Sequence, residues 1–176
     1  MLALIRPFTQ LCLFKIGPQH LPASLTLLAI TLIAHTIIQV LGFTLVTTGI
    51  VTFSAGITAT LVLCALTGTL LHTFGHPTRL IQTLTALAGT TSLIWIPGLP
   101  LMGWLAHAIA SDSDATIAEL LIITLLGWNL TVQGNIFRHA LSVPLFLGLL
   151  ISIIIFFITT FLLSLIPMQA ITLSST

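Results

Sequence analysis

Residues Ser142 to Ile166 read SVPLFLGLLISIIIFFITTFLLSLI, a run with no charged side chain anywhere in it. A bilayer hydrocarbon core of roughly 30 Å needs about 20 apolar residues per helix, so the run is long enough to cross and Pro167 is placed to end it. Toward the N-terminus, Arg138 and His139 interrupt the apolar sequence, and a second such run covers about Ala115 to Phe137. Ahead of that stands Ser111-Asp112-Ser113-Asp114, the most hydrophilic part of the chain. It reads as a loop whose serines and aspartates are good N-cap residues for the run that follows. A third run spans about Leu80 to His107, with a Pro97-Gly98-Leu99-Pro100 interruption that reads as a kink or a re-entrant turn. The remaining two runs are about Thr48 to Thr73, ended by Gly75 and Pro77, and Pro22 to about Thr44.

Composition generalises the pattern. Hydrophobic residues make up 57% of the 176 positions and charged residues 4%, whereas a soluble domain carries about a quarter charged. The fold class expected is therefore all-α, a polytopic bundle of five transmembrane helices. Met1 to Gly17 mixes Leu4, Phe8, Leu11, Cys12 and Leu13 with Arg6, Gln10 and Lys15 before the stop signal Gly17-Pro18. That suits an amphipathic helix lying in the membrane interface. The expected division is an interfacial segment at 1–19, a five-helix domain at 20–167 and a short exterior tail at 168–176. The first long apolar run starts only near Leu21 and continues past any signal-peptide length without an A-x-A site, so no cleavable leader is expected.

Seven formal charges give the orientation. With five crossings, Arg6, Lys15, Arg79 and Arg138 fall on one side, and Asp112, Asp114 and Glu119 on the other. The positive-inside rule puts the N-terminus in the cytoplasm and the C-terminus outside, in the manner of a bacterial inner-membrane protein. No charge sits at the centre of a span, where it would cost about 2.5–3.5 kcal/mol on insertion scales; all lie at predicted helix ends. That speaks against ion-coupled transport and against hydrolytic carboxylate or Ser/His/Asp machinery. A net charge of +1 likewise offers no basic stripe for nucleic acid. No catalytic residue and no cofactor are expected.

The polar residues inside spans are few. His35 and Gln39, four apart, share a helical face, as do Asn129 and Gln133, with Asn135 nearby. They read either as inter-helix hydrogen bonds or as a polar path between the first and fourth spans. His72 and His76 have the spacing of a two-histidine metal face, but Gly75 and Pro77 end the helix there and no third ligand is near. His107 with Asp112 and Asp114 offers a weaker alternative, a lipid-modifying site at the outer surface. Gly42, Gly49 and Gly56 recur every seven residues, and Gly68 continues a small-residue series suited to close helix packing in lipid. Cys12 and Cys64 fall at different depths and read as unpaired thiols. The expected partners are lipid and other membrane-protein subunits, or a second copy of the chain. The function these features favour is a non-enzymatic scaffold or accessory subunit, with a small-molecule permease or channel as the alternative.

Beyond composition, the layout carries local signatures. An amphipathic lead-in ends at Gly17-Pro18, and two spans precede the basic turn Gly75-His76-Pro77-Thr78-Arg79-Leu80-Ile81-Gln82-Thr83-Leu84. A third span is broken at Ile96-Pro97-Gly98-Leu99-Pro100, the fourth bears Trp128, and Phe137-Arg138-His139-Ala140-Leu141 links to the last. In this the chain resembles the Yip1 superfamily, specifically its short bacterial members. The resemblance implies a cytoplasmic N-terminus, five spans and a short exterior C-terminus. It supplies no catalytic residues. The trafficking role of eukaryotic members runs through a long cytoplasmic N-terminal region, of which this chain has only about 20 residues, and is not carried over.

Overall fold

The computed structural model describes residues 2–45 and 50–165, with side chains from Arg6 to Leu45 and from Thr52 to Leu165. Gly49 and the 168–176 tail lie outside the described residues. Secondary structure is 86% helix with no strand among the described residues. In hydrocarbon every backbone N–H and C=O must find a partner within its own segment, which helices achieve even when rich in β-branched residues. Six α-helices result: α1 (Leu2–Cys12), α2 (Leu25–Thr44), α3 (Ile50–Thr73), α4 (Leu80–Ala110), α5 (Thr116–Leu141) and α6 (Leu145–Ser164). The last five are long and apolar enough to cross a membrane. This is a multi-pass membrane architecture.

Local signals set the helix ends. Ser24 Oγ accepts from the backbone N–H of Leu27 at 3.4 Å and opens α2. Asp114 Oδ1 accepts from Thr116 N–H at 2.9 Å where α5 starts. Four helices end on a residue in the left-handed region: Phe14 after α1, Gly75 after α3, Asp112 after α4 and Ser142 after α5. In each, the next residue's N–H reaches back to a carbonyl of the last turn, as His76 does to Leu71 O at 2.8 Å and Val143 to Arg138 O at 3.1 Å. This is the Schellman closure. It ends the helix at four of the five helix connections, with glycine used only once.

The Pro97–Pro100 segment, which the sequence leaves open as a kink or a re-entrant turn, lies inside one helix. Helix α4 runs unbroken from Leu80 to Ala110 through both prolines, so the segment is not a re-entrant turn. Transmembrane helices tolerate proline when neighbouring helices support the freed backbone groups, and α4 is flanked by α2 and α5 along its length.

The five long helices close into a ring in the order α2, α4, α5, α6, α3, with the α3–α6 seam the lightest. The first half of helix α4 is enclosed, with Leu84, Ala86, Leu87, Ala88 and Ile94 buried. Its buried hydroxyls bond back along their own helix, as Thr85 does to Ile81 O and Thr90 to Ala86 O, both at 2.7 Å. Helix α1 docks on α4: Phe8 covers Gly89, so close that a methyl group there would collide with the ring. Gly89 is nine residues into α4, about 14 Å along its axis. Phe8, Leu11 and Cys12 thereby join the same core as Leu87, Ile136 and Phe137.

Candidate functional site

Two concave regions lie at different levels of the ring. The first is at the basic end, where Pro18, Gln19, Arg79, Gln82, Thr83, His139 and Ser142 line a polar depression of about 310 Å³. Arg79 dominates it. One guanidinium nitrogen, Nη1, donates to His139 O at 3.2 Å, Ala140 O at 2.9 Å and Ser142 Oγ at 2.9 Å. A cation at a helix C-terminus meets the negative end of its dipole, so Arg79 ties α4 to the end of α5 and braces the left-handed Ser142. Gln82 Nε2 donates to Leu21 O at 2.8 Å and pins the 3₁₀ turn Pro18–His20 onto the same surface. Arg79, read as a topology anchor, therefore also holds helix ends together here.

The second region is a cavity of about 420 Å³ inside the ring. All five long helices contribute: His35, Gln39 and Phe43 from α2, Ala55 and Ala59 from α3, Thr91 and Trp95 from α4, Asn129 and Gln133 from α5, Phe156, Thr159 and Thr160 from α6. His35 is ten residues into α2, and Asn129 is thirteen into α5 and twelve from its end. At 1.5 Å per residue both lie about 15–20 Å from their helix ends, near the middle of a bilayer core. From there the lining continues through Phe43, Leu163 and Ser164, toward the end of the bundle opposite Arg79.

Four of the five polar residues singled out in the spans thus meet at one cavity. His35 Nδ1 lies 3.1 Å from Thr60 Oγ1, and Thr36 Oγ1 lies 2.9 Å from the same hydroxyl, which tethers α2 to α3. Gln133 Nε2 donates to Thr91 Oγ1 at 3.3 Å, bridging α5 to α4. Asn129 is different: it is 6% exposed and its Oδ1 accepts no hydrogen bond. A buried carbonyl oxygen left unpaired costs about 1–3 kcal/mol. The only other buried polar side-chain atom without a partner among the described residues is Thr67 Oγ1, which does not line the cavity.

The fifth residue, Asn135, is buried but does not line the cavity. Six positions from Asn129 rotate it by about 240° around α5. The path also differs in construction from one between the first and fourth spans alone, because α4 stands between α2 and α5 and presents Thr91 and Trp95 to the space. Sequence reading missed those two and the hydroxyls of Thr159 and Thr160. Threonine is common throughout this chain, and only the register of each helix says which hydroxyls face inward.

The glycines separate as well. Gly56 packs on the Val40 backbone, where an added methyl would come within 3.0 Å of its nitrogen. Gly42 has only ordinary contacts near 3.9 Å, and a methyl at Gly68 would meet nothing within 4 Å among the described residues. The tightest crossing is one the seven-residue spacing does not pick out, Gly134 on Gly148, where α5 and α6 touch backbone to backbone.

At the acidic end His107, Asp112 and Asp114 are all exposed. The Asp114 carboxyl is held below the usual carboxylate range by hydrogen bonds from the Thr116 side chain and backbone. It is engaged in starting α5. His72 ends α3 and His76 lies beyond the helix, past Gly75, so the pair does not share a helical face. No cluster of three metal-ligating side chains occurs among the described residues. Comparison with protein-family models, with curated proteins and with solved structures finds no match to this chain.

Proposed function

We propose that this chain is a membrane-embedded binding protein of the permease type, holding a small molecule inside the helix ring. The observation that carries this reading is the convergence of His35, Gln39, Asn129 and Gln133 on one mid-depth cavity. Polar side chains acting only as inter-helix glue sit singly against a neighbouring helix. Here two of the four have such tethers, yet all four face a common space whose volume falls within the roughly 300–1,000 Å³ of small-molecule sites. An apolar wall with a few convergent polar groups is the usual make-up of such a site. We place the chain in a bacterial inner membrane with the Arg79 end cytoplasmic, on the segregation of cations from anions, and retain the Yip1-like resemblance as part of the same proposal.

A direct test is to purify the chain in mild detergent, extract it with solvent and compare the bound molecules with those of a Gln133→Leu/Asn129→Leu double variant. One species enriched on the unmodified chain near one per protein is expected. Identical lipid profiles on both would overturn the reading. Orientation is tested separately: Ser113→Cys should react with an impermeant maleimide added outside intact cells, and labelling only after lysis would reverse the placement.

A scaffold or assembly role is the second reading. Gly68 and Gly127, with open space beside them, are the observation in its favour, since small residues unpartnered within one chain are available to another helix. Co-purification of a stoichiometric protein partner, lost in Gly68→Leu, would favour it.

A further inference from the structure

We infer that the polar depression at the basic end is a second binding site, for a net-anionic phosphate group held on the Arg79 guanidinium. Two sources share that chemistry: the headgroup of an anionic phospholipid and a soluble phosphomonoester. The depression shares no lining residue with the cavity inside the ring, so the two sites stand or fall separately.

The cation there is fixed and uncompensated. Arg79 is half-buried and permanently charged. Its Nη1 is taken by His139 O, Ala140 O and Ser142 Oγ, all on the lining of the depression. That leaves Nε and Nη2 with no protein acceptor among the described residues. Both keep accessible surface, because the side-chain atoms buried without a partner among the described residues are Asn129 Oδ1 and Thr67 Oγ1 alone. The chain's carboxylate side chains are Asp112, Asp114 and Glu119. The two aspartates follow the far end of α4, and Glu119 sits in the first turn of α5. At 1.5 Å per residue, about 30 Å or more of helix separates them from Arg79, several times the Debye length of about 8 Å. The missing counter-charge has to come from a ligand.

The neighbouring donors set the class of anion. Ser142 Oγ accepts from Arg79 and still has its own proton to give, and Gln19 adds an exposed side-chain amide on the same lining. A guanidinium, a hydroxyl and an amide from three chain segments suit the three or more oxygens of a phosphate better than the two of a carboxylate. A zwitterionic head is disfavoured, since no carboxylate is near to take its ammonium and Arg138, next to His139, would repel it. Arg79 immediately precedes the α4 span and so lies at headgroup level, where basic pockets between helices receive anionic heads. A volume of about 310 Å³, at the low end of small-molecule sites, fits a head and not its acyl chains.

The test uses the full chain in a neutral maltoside detergent, with bound molecules counted by native mass spectrometry. Three probes are titrated: dioleoyl phosphatidylglycerol, dioleoyl phosphatidylcholine and glycerol 3-phosphate. One tight phosphatidylglycerol site is expected, about tenfold or more above phosphatidylcholine. Arg79→Gln should lower that affinity about 10- to 100-fold, the worth of a charge-assisted hydrogen bond. Lys15→Gln and Arg138→Gln remove the same charge from exposed positions outside the lining and should cost about fivefold at most, the surface attraction of one cation. Glycerol 3-phosphate that displaces phosphatidylglycerol, or binds as tightly alone, assigns the site to a soluble phosphate; no displacement assigns it to a lipid head, and either upholds the phosphate site. Equal binding of the two lipids would overturn the net-anionic class. Equal losses in the three charge variants would overturn the Arg79 site in favour of diffuse attraction, and no tight site for any probe would overturn it outright. Arg79 also joins α4 to α5, so where Arg79→Gln does not fold the two exposed variants decide. Affinity kept within about fivefold upholds the site, and a loss of about tenfold or more in either overturns it.

Discussion

The two ends of this bundle are made from the same kinds of residue and are packed in opposite ways. At the basic end Leu11, Leu21, Leu71, Leu87, Ile136 and Phe137 are all but completely buried. Helix α1 and the Pro18–His20 turn close over them, and Arg79 binds the end of α5. Toward the other end the inward-facing positions include Ala55, Ala59, Thr159, Thr160 and Ser164, and small or short polar side chains leave space where large ones would fill it. In lipid there is little hydrophobic force to collapse such a space, because the tails outside are as apolar as the wall. A cavity confined to one half of the ring makes a vestibule and not a through-pore, and substrate passage would need the sealed end to open.

The largest effect should come from breaking the seal. Phe137→Ala removes a ring with no exposed surface and is expected to cost about 3–5 kcal/mol, read as a large fall in the thermal unfolding midpoint by circular dichroism. Leu163→Ala, on the half-exposed wall of the cavity, should shift the midpoint little. Equal losses at the two sites would show that packing does not differ between the ends.

Glycines give the next contrast. A methyl at Gly148 would lie 2.9 Å from Arg138 N and closer still to Gly134 O, backbone atoms that cannot move aside. Gly148→Ala should therefore cost about 1–3 kcal/mol as overpacking. Gly68→Ala meets nothing within 4 Å and should gain up to about 1 kcal/mol from helix propensity. Opposite signs for one chemical change are the outcome to check, again by thermal unfolding.

How much of this was legible beforehand follows from what sets each feature. The spans and their connections are properties of composition along the chain, and α2 to α6 lie within a few residues of the apolar runs. The polar set was legible because Asn, Gln and His are rare in spans and their four-residue spacing fixes a shared face. Thr91, Trp95 and Thr159 were not, because a threonine that bonds its own helix and one that faces a cavity have the same sequence signature. The continuity of α4 through Pro97 and Pro100 was hidden for a related reason: proline removes a hydrogen bond locally, but whether the helix survives depends on α2 and α5 beside it. Gly134 against Gly148 depends on the register between two helices, which no periodicity within either one specifies.

A smaller effect sharpens the comparison on the cavity side. Asn129→Leu deletes the unpaired Oδ1 and is expected to stabilise the protein by about 1 kcal/mol. A residue kept at a cost to stability is what a functional site looks like when stability and activity trade off. A destabilised Asn129→Leu would mean that the amide holds the helices together and that the orphaned oxygen is incidental.

Least in energy, but informative about the sealed end, is Cys12. Burial pushes its thiol up to about 11, partly offset by its own backbone hydrogen bond. The thiolate is the reactive form, so at pH 8 alkylation should run about 100-fold slower than for an ordinary thiol and rise about tenfold per pH unit toward 11. The shift acts on stability in the matching direction: a thiol whose pKa is raised by folding favours the folded state least at high pH, so stability is unchanged below about pH 8 and declines as the medium approaches pH 11. Alkylation kinetics across that range, in a Cys64→Ser background, report how tightly α1 stays docked on α4. Fast labelling at pH 8 would mean that α1 lifts from α4 and exposes Cys12, and the basic end would then be a gate of the same ring that holds the cavity.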